Sequence, residues 1–89
     1  MKSIHLKIHG LVQGVFFRQQ TQKMAMAAGL NGTVRNCRDG TVEVIAEGEE
    51  KSLSGFIQWC NRGPERARVI RVDIHEMPLK NFPDFRILK

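Results

Sequence analysis

Apolar and polar residues alternate over residues 4 to 9, with Ile4, Leu6 and Ile8 on one side and His5, Lys7 and His9 on the other. Period two predicts a strand with one buried face. The alternation breaks at Gly10 to Phe17. From Phe17 the apolar spacing widens: Phe17, Thr21, Met24, Ala25 and Ala28 share one face of a helix. Gly29 is a natural stop. Residues 31 to 37 and 41 to 47 are expected to form two strands joined by Arg38-Asp39-Gly40, because Asp-Gly is a strong hairpin signal. In the second of these, Val42, Val44 and Ala46 face one way, and Glu43 and Glu47 the other.

A second helix is predicted after Gly48. Glu49 and Glu50 sit in its first turn, where the helix dipole favours negative charge. Leu53, Phe56, Ile57 and Cys60 form its apolar stripe, and Gly63-Pro64 ends it. Gly55 in its interior costs about 1 kcal/mol relative to alanine; close packing against a sheet is the expected reason. Residues 67 to 76 form another strand, with Ile70, Val72 and Ile74 on one face. A short strand from Phe85 to Leu88 closes the chain. The order predicts a ferredoxin-like α+β sandwich, βαββαβ: an antiparallel sheet, two helices on one face, and a short extra C-terminal strand. Such a fold names no function by itself.

With 89 residues, one domain over residues 1–89 is expected. No apolar run approaches the ~20 residues of a membrane span, and the start, Met1-Lys2-Ser3-Ile4-His5, lacks a signal peptide's apolar stretch. A cytoplasmic protein is expected, with no membrane partner. Two cysteines, Cys37 and Cys60, form no CxxC pair and no disulfide framework; both should be reduced. The net charge of +5 favours anionic partners, from nucleic acid to small phosphorylated molecules, without choosing among them. His5 and His9 read as exposed strand residues and His75 as remote from them, so no metal site is expected. Asp39 is expected to serve its turn, and Met24 and Met26 to lie beside the core.

The segment Gly10-Leu11-Val12-Gln13-Gly14-Val15-Phe16-Phe17-Arg18 joins a strand to a helix N-terminus. Main-chain N–H groups in such a turn converge, and the first donors of a helix have no partner inside it. An anion fits there. Gly14 permits close approach to the backbone, and Arg18 adds a guanidinium suited to phosphate oxygens. The same residues also suit an ordinary turn followed by a surface arginine. Asn36, at the end of the second strand, equally suits a strand end beside a hairpin.

The combined string is more specific. Ile8-x-Gly10-x-Val12-Gln13-Gly14-Val15-x-Phe17-Arg18 resembles the first signature of the acylphosphatases at every fixed position. Gly32-Thr33-Val34-Arg35-Asn36, then Gly40-x-Val42 and Gly48, resembles their second, in matching order and spacing. Gly63-Pro64, Ala67-Arg68-Val69 and Phe82-x-x-Phe85 extend the resemblance over essentially the whole chain. Thr33 departs from it, standing where the family usually has an aromatic, which is expected to shape or underpin the site.

The resemblance implies hydrolysis of an acyl phosphate to a carboxylate and inorganic phosphate, with no metal or other cofactor. Arg18 would bind the phosphate together with loop amides of Gln13, Gly14, Val15, Phe16, Phe17 and Arg18, and Asn36 would hold the attacking water. A monomer with a small-molecule substrate is expected. The ferredoxin-like fold also includes RNA-binding modules. The outward positions His5, Lys7, His9, Thr41, Glu43, Ile45 and Glu47 offer no aromatic for a base to stack on, and the two glutamates would repel phosphate, so no nucleic-acid partner is expected.

Overall fold

The computed structural model describes all 89 residues. Its elements are β1 (Lys2–Leu11), α1 (Phe17–Ala27), β2 (Asn31–Asn36), β3 (Val42–Gly48), α2 (Glu50–Arg62), β4 (Arg68–Met77) and β5 (Phe85–Ile87). The sheet order is β4-β1-β3-β2-β5. The first four strands pair antiparallel, as the ferredoxin-like arrangement requires. The extra strand β5 pairs parallel with β2, so the complete sheet is mixed.

One face of the sheet carries the core. Leu6, Ile8, Val34, Val42, Val44 and Ala46 are fully buried there, against Phe17 and Ala25 from α1 and Leu53, Phe56 and Cys60 from α2. Phe17 meets Trp59 at a ring-centroid distance of 5.6 Å, and Phe56 meets Phe85 at 6.4 Å. These contacts tie the two helices and the C-terminal strand to one core. Met24 and Met26, expected beside this core, are exposed instead, and neither packs against it.

Four further expectations change. Ile70 does not share a face with Val72: Gly10 pairs with Val69 and His9 with Arg71, leaving Ile70 unopposed in a β-bulge. Ile70 is 81% exposed, and Val69 packs against the core in its stead. The bulge requires a glycine opposite, because a Cβ on Gly10 would lie 2.0 Å from the Arg68 carbonyl oxygen. His75 is not remote from the other histidines, since antiparallel register sets it directly across from His5. Glu47 has the outward parity of β3, yet it is buried. The segment before β5 folds over it, and the N–H groups of Lys80, Asn81 and Phe82 donate to its carboxylate. Finally, Gly55 does not pack against the sheet: it is exposed, with nothing within 4 Å of where a Cβ would be.

The open face of the sheet is laced by ion pairs. Glu43 accepts from Arg35 Nε at 2.6 Å and pairs with His5 Nε2 at 3.0 Å. Lys7 reaches Asp39 at 2.9 Å, and His9 reaches Asp73 at 2.9 Å. The Arg35 guanidinium, helped by His5, outweighs partial burial and holds Glu43 down to about 2. Burial pushes Glu47 up, but its three main-chain donors more than offset this and its carboxyl sits below the ordinary value.

Two outcomes follow for stability. Gly55→Ala adds no clash and removes a flexible residue from a helix interior, so it should stabilise the fold by up to about 1 kcal/mol, raising Tm by roughly 4–8 °C; an unchanged or lower Tm in thermal denaturation would contradict the open environment of that residue. A carboxylate with a depressed folded pKa stabilises above its unfolded value and loses that contribution as pH falls through the folded one. For Glu43 the window runs from 4.5 down to about 2. Melting curves should shift steadily downward across it, and less steeply in Glu43→Gln; equal slopes in the two proteins would remove Glu43 from the account.

Candidate active site

Strands β1 and β2 run in the same direction, each antiparallel to the β3 between them. Their C-terminal ends therefore lie at the same end of the sheet. There β1 feeds the loop of residues 12–16, and β2 ends at Asn36. Gly32, Val34 and Asn36 share the inward parity of β2, so the Asn36 side chain falls on the helix-bearing side, under the start of α1.

The loop hangs from the core by alternate residues. Val12, Val15 and Phe17 are buried, whereas Gly14 and Phe16 are exposed. Gly14 has φ +73°, open to glycine at no steric cost. Phe16 has φ 63° and ψ 22°, a left-handed conformation unusual for a bulky residue. Alternation of backbone hand turns successive N–H groups toward one point, a nest for an anion. None of the main-chain N–H groups from Gln13 to Gln19 donates to a turn, loop or cap acceptor. Phe16 occupies the N-cap with no side-chain cap, and the first turn of α1 carries no acid. Helix α2 differs, having Glu50 at its start and Arg62 at its end.

A cleft of about 160 Å³ opens at this point, lined by Val12, Gly14, Phe16, Phe17, Arg18, Gln19 and Asn36. Arg18 and Asn36, which are 18 positions apart in the chain, are thus brought to one cavity. Arg18 has no carboxylate partner within salt-bridge distance, unlike Lys7, Arg35 and Arg71. The Asn36 Oδ1 is buried and accepts no hydrogen bond. Such a group costs about 1–3 kcal/mol and calls for an explanation in use. A second groove, of about 390 Å³, adjoins the cleft and shares Phe16 with it; Val15, Gln20, Pro64, Glu65 and Arg66 complete its lining.

Of the loop residues singled out in the sequence, Gly14, Phe16, Phe17 and Arg18 line the cleft. Gln13 and Val15 do not: the Val15 side chain is buried, and the Gln13 side chain is bonded to the β2–β3 hairpin. Val12 and Gln19 line the cleft without having been singled out; their positions beside Gln13 and Arg18 were the available signal. Thr33 lies on the opposite face of β2, between Ile45 and Arg86, and does not border the cleft. Asp39 accepts from the Thr41 hydroxyl at 2.6 Å and the Thr41 N–H at 3.0 Å, so it closes the turn as expected. The hydroxyl and Lys7 hold its carboxyl well below the usual range. Cys37 and Cys60 are both free thiols, and burial pushes Cys60 far up. No group of three or more His, Cys, Asp or Glu residues is placed to hold a metal ion. No helix is long and apolar enough to cross a membrane.

Comparison with known proteins agrees with this architecture. The family model described as acylphosphatase matches residues 4–87. A relative named acylphosphatase from Methylococcus capsulatus is 42% identical, with 100% of this chain and 98% of the relative covered. One of the same name from Marinobacter nauticus is 48% identical, with 92% and 90% covered. The crystal structure of acylphosphatase from Bacillus subtilis superposes with a TM-score of 0.97 at 33% identity, covering 100% of both chains. With a family match from strand β1 to strand β5, and these two relatives covered over at least 90% of their length, this chain belongs to the acylphosphatase family of enzymes.

Proposed function

We propose that the chain hydrolyses small acyl phosphates in the cleft between Arg18 and Asn36, releasing a carboxylate and inorganic phosphate. The observation that carries this reading is the shared cleft: a guanidinium without a carboxylate partner, a run of uncommitted main-chain donors, and a carboxamide from a separate strand. The phosphoryl group lies against the N–H groups of the loop from Gln13 to Arg18, where the positive end of α1 adds to the attraction. Arg18 grips two of its oxygens. Asn36 holds a water for in-line attack on phosphorus.

Little else is required chemically. The leaving carboxylate is a weak base, so no strong general acid is needed. The water's proton can pass to a phosphate oxygen, so no protein base is needed either. Positioning and stabilisation of charge on the equatorial oxygens remain, and these donors supply both. The acyl end lies toward Phe16, where the second groove opens. In this reading the enzyme works as a metal-independent monomer in the cytoplasm. RNA recognition is the weaker reading, because the open face of the sheet presents paired charges and no Phe, Tyr or Trp ring, and its His5 and His9 are engaged by Glu43 and Asp73.

With benzoyl phosphate as substrate, Arg18→Ala should lower kcat/KM by at least about 10³-fold and weaken inhibition by inorganic phosphate. Asn36→Ala should lower kcat by about 10²–10³-fold while still binding phosphate. Full turnover in either variant would overturn that residue's role. EDTA should leave the rate unchanged, and a rate restored only by added metal would contradict the proposed chemistry.

A further inference from the structure

Gln13 belongs to the loop, but its side chain turns away from the cleft. Its Nε2 donates to the Cys37 carbonyl oxygen at 2.7 Å and to the Thr41 carbonyl oxygen at 2.9 Å. A carboxamide nitrogen carries two hydrogens, and each meets one of these acceptors. The Thr41 carbonyl also accepts the Cys37 N–H at 2.8 Å, the bond that closes the hairpin. One side chain thus bonds both arms of the turn that begins immediately after Asn36. No other side-chain hydrogen bond joins residues 12–16 to that hairpin.

The sheet does not provide this link. Because β3 lies between β1 and β2, their ends are about 10 Å apart, two inter-strand spacings. Beyond Leu11 and Asn36 the ladders stop, and no main-chain hydrogen bond ties the loop of residues 12–16 to the hairpin. We propose that Gln13 is a positioning residue that locks the phosphate loop to the β2–β3 hairpin and so sets the distance from the cradle to Asn36. This inference rests on the role of Asn36 proposed above. It separates two functions in one loop: main-chain groups hold the phosphate, while the Gln13 side chain holds the alignment of the nucleophile. A displacement of about 1 Å at such a site costs on the order of 10²-fold in rate.

Four proteins test it: the unaltered chain, Gln13→Leu, Asn36→Ala and the double variant. Each is assayed with benzoyl phosphate and titrated calorimetrically with inorganic phosphate. Gln13→Leu should bind one phosphate per chain, with Kd changed by less than about 3-fold, while kcat falls about 10- to 100-fold. Full stoichiometry excludes an unfolded fraction as the cause. In the double variant, the loss beyond Asn36→Ala alone should be less than about 3-fold, because both changes act through the same water.

Gln13→Glu supplies a readout that loss of stability would not. An ionised carboxylate faces two carbonyl oxygens and repels them, whereas the protonated acid donates to one. Its kcat relative to the unaltered chain should therefore rise as pH falls from about 7 to 5, and that of Gln13→Leu should stay flat. Wild-type kcat in Gln13→Leu, with Asn36→Ala inactive, would overturn the clamp and leave the role of Asn36 standing. Wild-type kcat in Asn36→Ala would overturn that role and the clamp with it.

Discussion

Strand β3 is bonded to β1 along one edge and to β2 along the other, antiparallel in both cases. This pairing obliges β1 and β2 to run the same way and to finish at the same end of the sheet. Everything at the cleft depends on that constraint. It brings a strand-to-helix loop beside a strand end, and the inward parity of β2 then carries Asn36 to the side where α1 begins. The positions are maintained by buried apolar residues rather than by contacts within the cleft. Val12, Val15 and Phe17 root the loop in the same core that holds Val34 and Val42.

The two faces of the sheet divide the chain's charges between them. On the open face, Lys7, Arg35 and Arg71 are paired with acids, and those acids are held ionised by their partners. On the helix-bearing side, at the cleft, Arg18 has no acid to neutralise it. The cleft therefore presents an unneutralised guanidinium, in contrast to the paired cations of the open face. The hairpin after β2 belongs to both systems, since Asp39 pairs with Lys7 on one side and the turn carbonyls receive Gln13 on the other.

Most of the fold was legible because the periodicities were clean. Ile4, Leu6 and Ile8 alternate without exception, Phe17, Thr21 and Ala25 keep helical spacing, and Asp39-Gly40 marks its own turn. What escaped depends on partners distant in the chain. The exposure of Ile70 arises from a bulge set by register against Gly10, and a run of apolar residues cannot reveal it. The burial of Glu47 needs the segment at Lys80 to Phe82, more than thirty residues away. His75 meets His5 only through antiparallel register. That Arg18 and Asn36 would come to one cleft was legible through the resemblance of two motifs. The left-handed backbone of Phe16 was not, since a bulky aromatic is an improbable occupant of that region. Nor were the hairpin partners of Gln13, which lie outside its own motif.

The uncapped start of α1 also limits how this enzyme can be made sturdier. A serine, threonine or aspartate at Phe16 would be the ordinary remedy for a helix start with unpaired donors. In the proposed function those donors are assigned to the phosphate, so on that reading ligand affinity and helix capping compete for one set of hydrogens. Under the proposed function, adaptation to heat draws on sites elsewhere in the molecule, and the first turn of α1 is expected to resist the consensus choices that suit other helices.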